Sequence, residues 1–226
     1  MTNTLHRYGK PETLKDDYIV FIMASRGIND LGAEDKVQAF LEASLRYAPV
    51  NMGKGILGSL YRPEKDLNFF KLYFKGRQKQ ITPEALVRNA ERADDAAVVF
   101  DNKEAMKSFL KDVRDLDLGL SVNCSALVDD VREVCRELDI PIHSVEYSLG
   151  FHGDLDRLPD RHVLAVTTMC GHGMISDNFA KKMIAHVKEA RLTAEQAANY
   201  MATFCVCGIF NTARAIRILE EIRTSN

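Results

Sequence analysis

From Ala96 onward the apolar residues of this chain keep changing their spacing. Ala96–Phe100 is a short unbroken apolar run, the pattern of a buried strand. Lys103–Val113 then places Ala105, Met106, Phe109, Leu110 and Val113 at helical intervals. Leu118–Val122 returns to strand character. Ser125–Leu138 carries a helical stripe of Leu127, Val128, Val131, Val134, Cys135 and Leu138, with Cys135 as core. Ile142–Tyr147 and His162–Thr168 are again rich in β-formers. Strand alternating with helix predicts an α/β fold with a largely parallel sheet and flanking helices. Three helices near 177–190, 194–206 and 212–223 make a helical C-terminus.

The N-terminal part repeats the theme less regularly. Tyr18–Met23 predicts a buried strand, Ala24–Gly32 a loop, and Val37, Phe40, Leu41, Leu45 and Ala48 a helix from Asp35. Gly55–Tyr61 and Leu67–Phe74 are candidate strands, with Lys75–Lys79 an exposed turn. Thr82-Pro83-Glu84 starts a helix, with Thr as N-cap and Pro at the first helical position. Residues 1–17 read as a polar lead-in and 18–226 as a single α/β domain. Within it, 18–80 forms either an α+β N-terminal extension of the sheet or a sub-lobe.

Composition narrows the function classes. With 226 residues, 46% hydrophobic, the chain can build a substantial core. Its 30 basic and 32 acidic residues leave a formal charge of −2, which offers no electrostatic footprint for nucleic acid or an anionic membrane. No apolar run reaches membrane-spanning length. The opening Met1–Lys10 stretch is polar, so no secretory leader is expected. Five cysteines, an odd and scattered set, point to free thiols in a reducing cytoplasmic compartment rather than a disulfide framework.

Parallel sheets bind ligands where strand ends lead into helix N-termini. The expected loops are Ala24–Asp30, Asn123–Ser125, Leu149–Asp154 and Thr167–Ser176, all on one rim. The last holds Cys170-Gly171-His172-Gly173 ahead of Ser176, a helix-capping residue. The glycines permit a tight turn, free amides at the helix start suit an anion, and His172 beside Cys170 would favour a thiolate. A plain tight turn with a surface histidine is the competing explanation. Cys124 holds an equivalent strand-end position, unless it is simply a small buried residue.

Cys205-Val206-Cys207-Gly208 ends a helix opened by a capping box at Thr193–Gln196. Its cysteines either fill a close helix contact or act as ligands. Together with Cys170 they supply three thiolates, enough to hold zinc or an iron–sulfur cluster with one position open; Cys124 or His172 could close it. Arg26 and Asn29 suit a carboxylate or phosphate, unless Arg26 pairs with Asp30 or Glu34 on the surface. His152, Asp154 and Asp156 read as a solvated loop. Lys54 lacks the Lys-Ser/Thr context of a phosphate-binding loop. Lys75, Arg77 and Lys79 read as a solvated turn.

The leading expectation is a small-molecule enzyme of lyase, hydrolase or isomerase type. Its ligand is a small anionic metabolite held by Arg26, Asn29, Gly171, Gly173 and Ser176. Cys170 serves as thiolate or metal ligand and His172 as general acid/base. One mechanism places a metal or iron–sulfur centre on Cys170, Cys205 and Cys207. A second uses Cys124 and Cys170 as a two-thiol acid–base pair in an isomerase. A non-catalytic redox or metal sensor would use the same cysteines without turnover. In a structural or assembly subunit, Ile209, Phe210, Ile216, Leu219 and Ile222 would pack on a partner, although their simplest reading is ordinary core; a homo-oligomer is a separate expectation.

Overall fold

A computed structural model describes residues 6–55, 58–62, 80–88 and 93–225. The expected strand Leu67–Phe74 and turn Lys75–Lys79 lie outside the described residues. Four strands form one sheet: β1 (Tyr18–Met23), β2 (Asn51–Gly53), β3 (Asp95–Phe100) and β4 (Ser121–Ser125), in the order β2-β3-β1-β4. The helices are α1 (Ala33–Ser44), α2 (Pro83–Arg88), α3 (Lys103–Leu116), α4 (Val128–Glu137), α5 (Arg161–Thr167), α6 (Asp177–Lys188), α7 (Ala194–Ala202) and α8 (Thr212–Thr224).

The protein is α/β, but the largely parallel sheet is not what forms. Among the described residues every hydrogen-bonded strand pair is antiparallel, β1 with β3, β1 with β4 and β2 with β3. The physical reason lies in the interleaving. β1–α1–β2 and β3–α3–β4 are each strand–helix–strand units whose own two strands run parallel. Each unit takes a strand of the other into its middle, a split βαβ topology. Strand–helix alternation reports the units and cannot report the interleaving.

The uniform apolar runs have the same origin. Tyr18, Val20 and Ile22 of β1 enter one core while Ile19 and Phe21 enter another. The first core lies under α1–α4 and includes Phe40, Phe109 and Val134. The second lies under α5–α8 and includes Val166, Met183, Met201 and Leu219. A sheet covered on both faces needs apolar residues at every position, whichever way its strands run.

Other expectations change locally. β2 covers Asn51–Gly53 instead of Gly55–Tyr61; Ser59 makes only isolated bridges. His162–Thr168 is not a strand. Asp160 caps it from the N-terminal side, accepting a hydrogen bond from His162 N at 2.8 Å, and α5 follows with Val163, Val166 and Thr167 buried at helical spacing. Ile142–Tyr147 forms no strand, has no strand partner among the described residues and is exposed. Thr82, by contrast, accepts from Ala85 N at 3.2 Å at the start of α2, and Thr193 and Gln196 form the expected capping box.

The polar lead-in becomes a structural clamp. Asp17 is buried at the foot of β1, and its carboxylate accepts from Arg7 Nε and Arg214 Nη1, both at 3.1 Å, and from Asn211 Nδ2 at 3.0 Å. Arg7 also donates to the carbonyls of Thr168 (3.1 Å), Met169 and Ile209 (2.7 Å). Arg214, fully buried on α8, donates to Tyr8 O at 2.9 Å and Thr13 O at 3.2 Å. One carboxylate therefore fixes two guanidiniums, and one of these ties the chain before Cys170 to the chain after Cys207.

The Asp17→Asn variant removes the carboxylate charge that both guanidiniums of this clamp contact. Its expected cost is about 3–5 kcal/mol, the range for breaking a buried ion pair from one side. Chemical denaturation of the purified variant measures it. A loss under about 1 kcal/mol, the size of an exposed pair, would show the clamp to be dispensable.

Candidate functional site

Two turns from different parts of the chain meet beneath the second core. The first follows α5. The chain turns at Thr168–Gly173, with Cys170 N donating to Thr167 O at 3.2 Å and Gly173 N to Cys170 O at 3.1 Å. Gly173 has φ +63°, a conformation that favours glycine. Ser176 then caps α6 by accepting from Phe179 N at 3.3 Å. The predicted turn and cap are present, led into by a helix instead of a strand.

The second turn follows α7. Cys205 N donates to Ala202 O at 3.0 Å and Gly208 N to Cys205 O at 3.2 Å, so the helix has unwound before the second cysteine. That is why thiols two residues apart come within 4.0 Å of each other. The turn is pressed against β2. A Cβ on Gly208 (φ +70°) would stand 2.4 Å from Met52 C, and one on Gly53 would stand 2.5 Å from Cys207 O. Only glycine at both positions permits this backbone contact.

Cys170, Cys205, Cys207 and His172 come together as the sequence suggested. Cys205 is hydrogen-bonded to both other thiols, and Cys207 Sγ lies 3.5 Å from His172 Nδ1. The three cysteines are buried and His172 is exposed, so the histidine marks the open side. All are free thiols. Among the described residues, no group of three or more His, Cys, Asp or Glu side chains is placed so that it could hold a metal ion.

Protons are shared unequally. The hydrogen bond from Cys205 holds Cys170 down to about 6 against the opposing effect of burial; the amides of Met174 and His172 also donate to this sulfur and lower it further. Cys207 is held down to about 7, first by its bond from Cys205 and, against burial, by His172 and the amide of Ile209. Cys205 is pushed well up by its interactions with the sulfurs of Cys170 and Cys207, between which its single S–H proton is shared, and by burial. In the metal-free trio Cys170 and Cys207 are thus the more acidic sulfurs and Cys205 the one that keeps its proton longest.

The remaining predicted residues divide. Cys124 pairs with Val20 in the sheet and faces the first core, whereas Cys170 lies in the second. It also stands near the strand end opposite the rim where β1 and β2 finish. The sheet separates the proposed Cys124/Cys170 pair, and burial pushes the Cys124 thiol up to about 12. Cys135 is core, as expected. The four loops do not share one rim, since antiparallel neighbours send successive strand ends to opposite edges.

The Ala24–Asp30 loop does share the rim of the thiol site. Ala24 N donates to Asp94 O at 2.9 Å, next to Asp95, whose carboxyl is pushed up by burial and opposed by the nearby His172. Arg26 is exposed, and Asp30 turns to Gly27 N at 2.8 Å instead of pairing with it. Asn29 is committed to loop structure, donating to Gly119 O at 2.7 Å and accepting from Ser25 N at 2.6 Å. His152 lies in an exposed loop against Leu149 O.

The sequence reading missed Arg7, Asp17, Gly53, Asp95 and Arg214. One signal was available: Arg214 sits four residues before Ile218 and eight before Ile222, on the apolar stripe of its helix. A charge on such a stripe needs a buried partner.

Thiolate ultraviolet absorbance of the metal-free protein should rise in steps near pH 6 and pH 7 as Cys170 and Cys207 ionise. Cys170→Ser should abolish the earlier step. A first rise only near the ordinary thiol value of 9.0 would show that the sulfurs do not stabilise one another.

No family model matches the chain, and neither a curated protein nor a solved structure matches it, so what this site does has to follow from its own side chains.

Proposed function

We propose that the protein is a small-molecule enzyme whose Cys170, Cys205 and Cys207 hold a thiophilic metal centre, zinc or an iron–sulfur cluster, with His172 at its accessible side. The observation that carries this reading is the contact of three thiols in one group next to an imidazole. Around tetrahedral zinc, with bonds of about 2.3 Å to sulfur and about 2.0 Å to nitrogen, sulfurs stand about 3.8 Å apart and sulfur and nitrogen about 3.5 Å. The separations of 4.0 Å for Cys205–Cys207 and 3.5 Å for Cys207–His172 are of that size. Cys170 and Cys207 are held below the ordinary thiol value, which eases the loss of protons that metal binding requires.

Three thiolates leave one coordination position for a substrate or for His172. When bound, the metal would act as a Lewis acid toward a substrate oxygen. His172 is then placed to move a proton at that open side. The exposed guanidinium of Arg26, on the same rim and without an ion-pair partner among the described residues, supports a small carboxylate or phosphate as the substrate class. The amides around Gly171 and Gly173 and the start of α6 at Ser176 add positive potential, although Ser176 Oγ itself is occupied as the cap. A reducing, cytoplasmic setting suits thiols that must stay free. Among the described residues no helix is long and apolar enough to cross a membrane.

A second reading, a redox or metal sensor without turnover, draws support from the same 4.0 Å sulfur–sulfur approach, which brings two thiols toward disulfide distance. It predicts reversible loss of two thiols under mild oxidation in metal-free protein.

Metal analysis and the visible spectrum of anaerobically purified protein separate these readings. The expected result is one metal centre per chain, lost at least tenfold in Cys170→Ser and Cys205→Ser and retained in Cys124→Ser. Metal affinity should weaken as pH falls through about 7 and then about 6, when protons reclaim Cys207 and Cys170. A colourless, metal-free protein that takes up neither zinc nor iron on reconstitution overturns the metal centre.

A further inference from the structure

Of the five free cysteines, three meet in one group and two stand apart from it. Cys124 packs against the first core, and Cys135 lies on α4, which covers that core. Within the group of three the contacts are not equivalent. Cys205 is hydrogen-bonded to Cys170 and to Cys207, and its sulfur stands 4.0 Å from that of Cys207. Among the described hydrogen bonds none joins Cys170 to Cys207. Cys207 in turn has the imidazole of His172 beside it, Sγ to Nδ1 at 3.5 Å, and that imidazole is exposed.

The backbone permits a bond within the group. A disulfide needs Cα atoms within about 7 Å of each other. Two residues of fully extended chain already span at most about 7 Å. Cys205 and Cys207 lie in a turn closed by Gly208 N on Cys205 O at 3.2 Å, so they fall inside that reach. Cys170 meets the same central sulfur from the turn after α5.

We propose that this group is a dithiol switch for hydrogen peroxide, in which Cys207 is oxidised first and Cys205 is the partner sulfur that closes the disulfide. The switch rests on the sensor reading of this site and adds to it the oxidant, the order of the steps and the role of each sulfur. Size selects the oxidant. Cys170, Cys205 and Cys207 are 4%, 0% and 2% exposed, so a bulky disulfide cannot seat against them, whereas a molecule of two oxygens can enter beside His172.

The chemistry closes in two steps. The Cys207 sulfur gives an electron pair to one oxygen of the peroxide. An S–O bond forms and the O–O bond breaks. The departing hydroxide leaves as water with the thiol proton, which His172 is placed to carry. Cys205 then attacks the sulfenic sulfur of Cys207. An S–S bond forms, the S–O bond breaks, and hydroxide leaves as water with the Cys205 proton. Two thiols have lost two electrons and the peroxide has gained them. Where the sulfurs hold a metal, the disulfide withdraws two of its ligands and releases it.

The test is to treat metal-free, fully reduced, full-length protein with hydrogen peroxide, count its thiols and map the bond by peptide mass spectrometry. Wild type is expected to lose two of its five thiols, recover both with dithiothreitol and show the bond between Cys205 and Cys207. Cys170→Ser should form the same bond. Cys207→Ser should join Cys170 to Cys205 instead. Cys205→Ser should form no disulfide and should hold a sulfenic acid that dimedone traps. His172→Ala should slow the reaction by about a hundredfold, the low end for a lost proton-transfer group. Oxidised glutathione should leave the count unchanged over the same time. The wild-type map decides the matter even if a variant misfolds. Two thiols lost reversibly at any other pair, Cys124 with Cys135 included, overturn the switch and leave the sensor reading standing. No reversible loss overturns both. Equal oxidation by glutathione overturns the assignment of peroxide. A protein that forms the Cys205–Cys207 bond yet takes up no metal supports the switch and overturns the metal centre.

Discussion

The carboxylate of Asp17 holds the two halves of the molecule together. It sits where the lead-in enters β1, and it neutralises Arg7 and Arg214, which come from opposite ends of the chain. Burying three charged side chains costs several kcal/mol each unless every donor and acceptor is met. Here the guanidiniums spend their remaining donors on carbonyls of Tyr8, Thr13, Thr168, Met169 and Ile209. Those carbonyls belong to irregular chain that helices leave unsatisfied. The ion pair thus does the work of a cap for two turns at once, and those are the turns that carry Cys170 and Cys207.

A consequence is that the thiol site is held from two directions. Arg7 fixes the carbonyls flanking it, and the contact of Gly53 with Gly208 fixes the Cys205–Gly208 turn against β2. Neither restraint touches a sulfur. The sulfurs are left to settle their protons among themselves, and they do so through Cys205, whose interactions with both neighbours lower Cys170 and Cys207 and raise Cys205 itself. Cys124 shows the contrast. It has burial without such donors, and its thiol is pushed up instead of down.

Much of this was readable from local pattern. Helix positions, the caps at Ser176 and Thr193, and the grouping of Cys170, Cys205, Cys207 and His172 follow from spacing, glycines and capping residues. What failed was long-range. Strand–helix alternation gives βαβ units but not whether they interleave, and interleaving turned an expected parallel sheet antiparallel, sending Cys124 to the far side. His162–Thr168 misled because β-branched residues outweighed the Pro159-Asp160 signal ahead of them. Lead-in residues 7–17 looked featureless because their role depends on Arg214, some two hundred positions away.

The arrangement also bears on how the site can be reached. The sheet closes it from one side, through β2, and α6–α8 close it from others. His172 is the exposed member, and it sits on a turn whose glycines leave open space, with nothing within 4 Å of a Cβ placed on Gly173. Asp95 and the Ala24–Asp30 loop border the same rim. The buried sulfurs at the edge of the second core, the exposed imidazole beside them and the Arg26 loop on the same rim are the arrangement on which the proposed site rests.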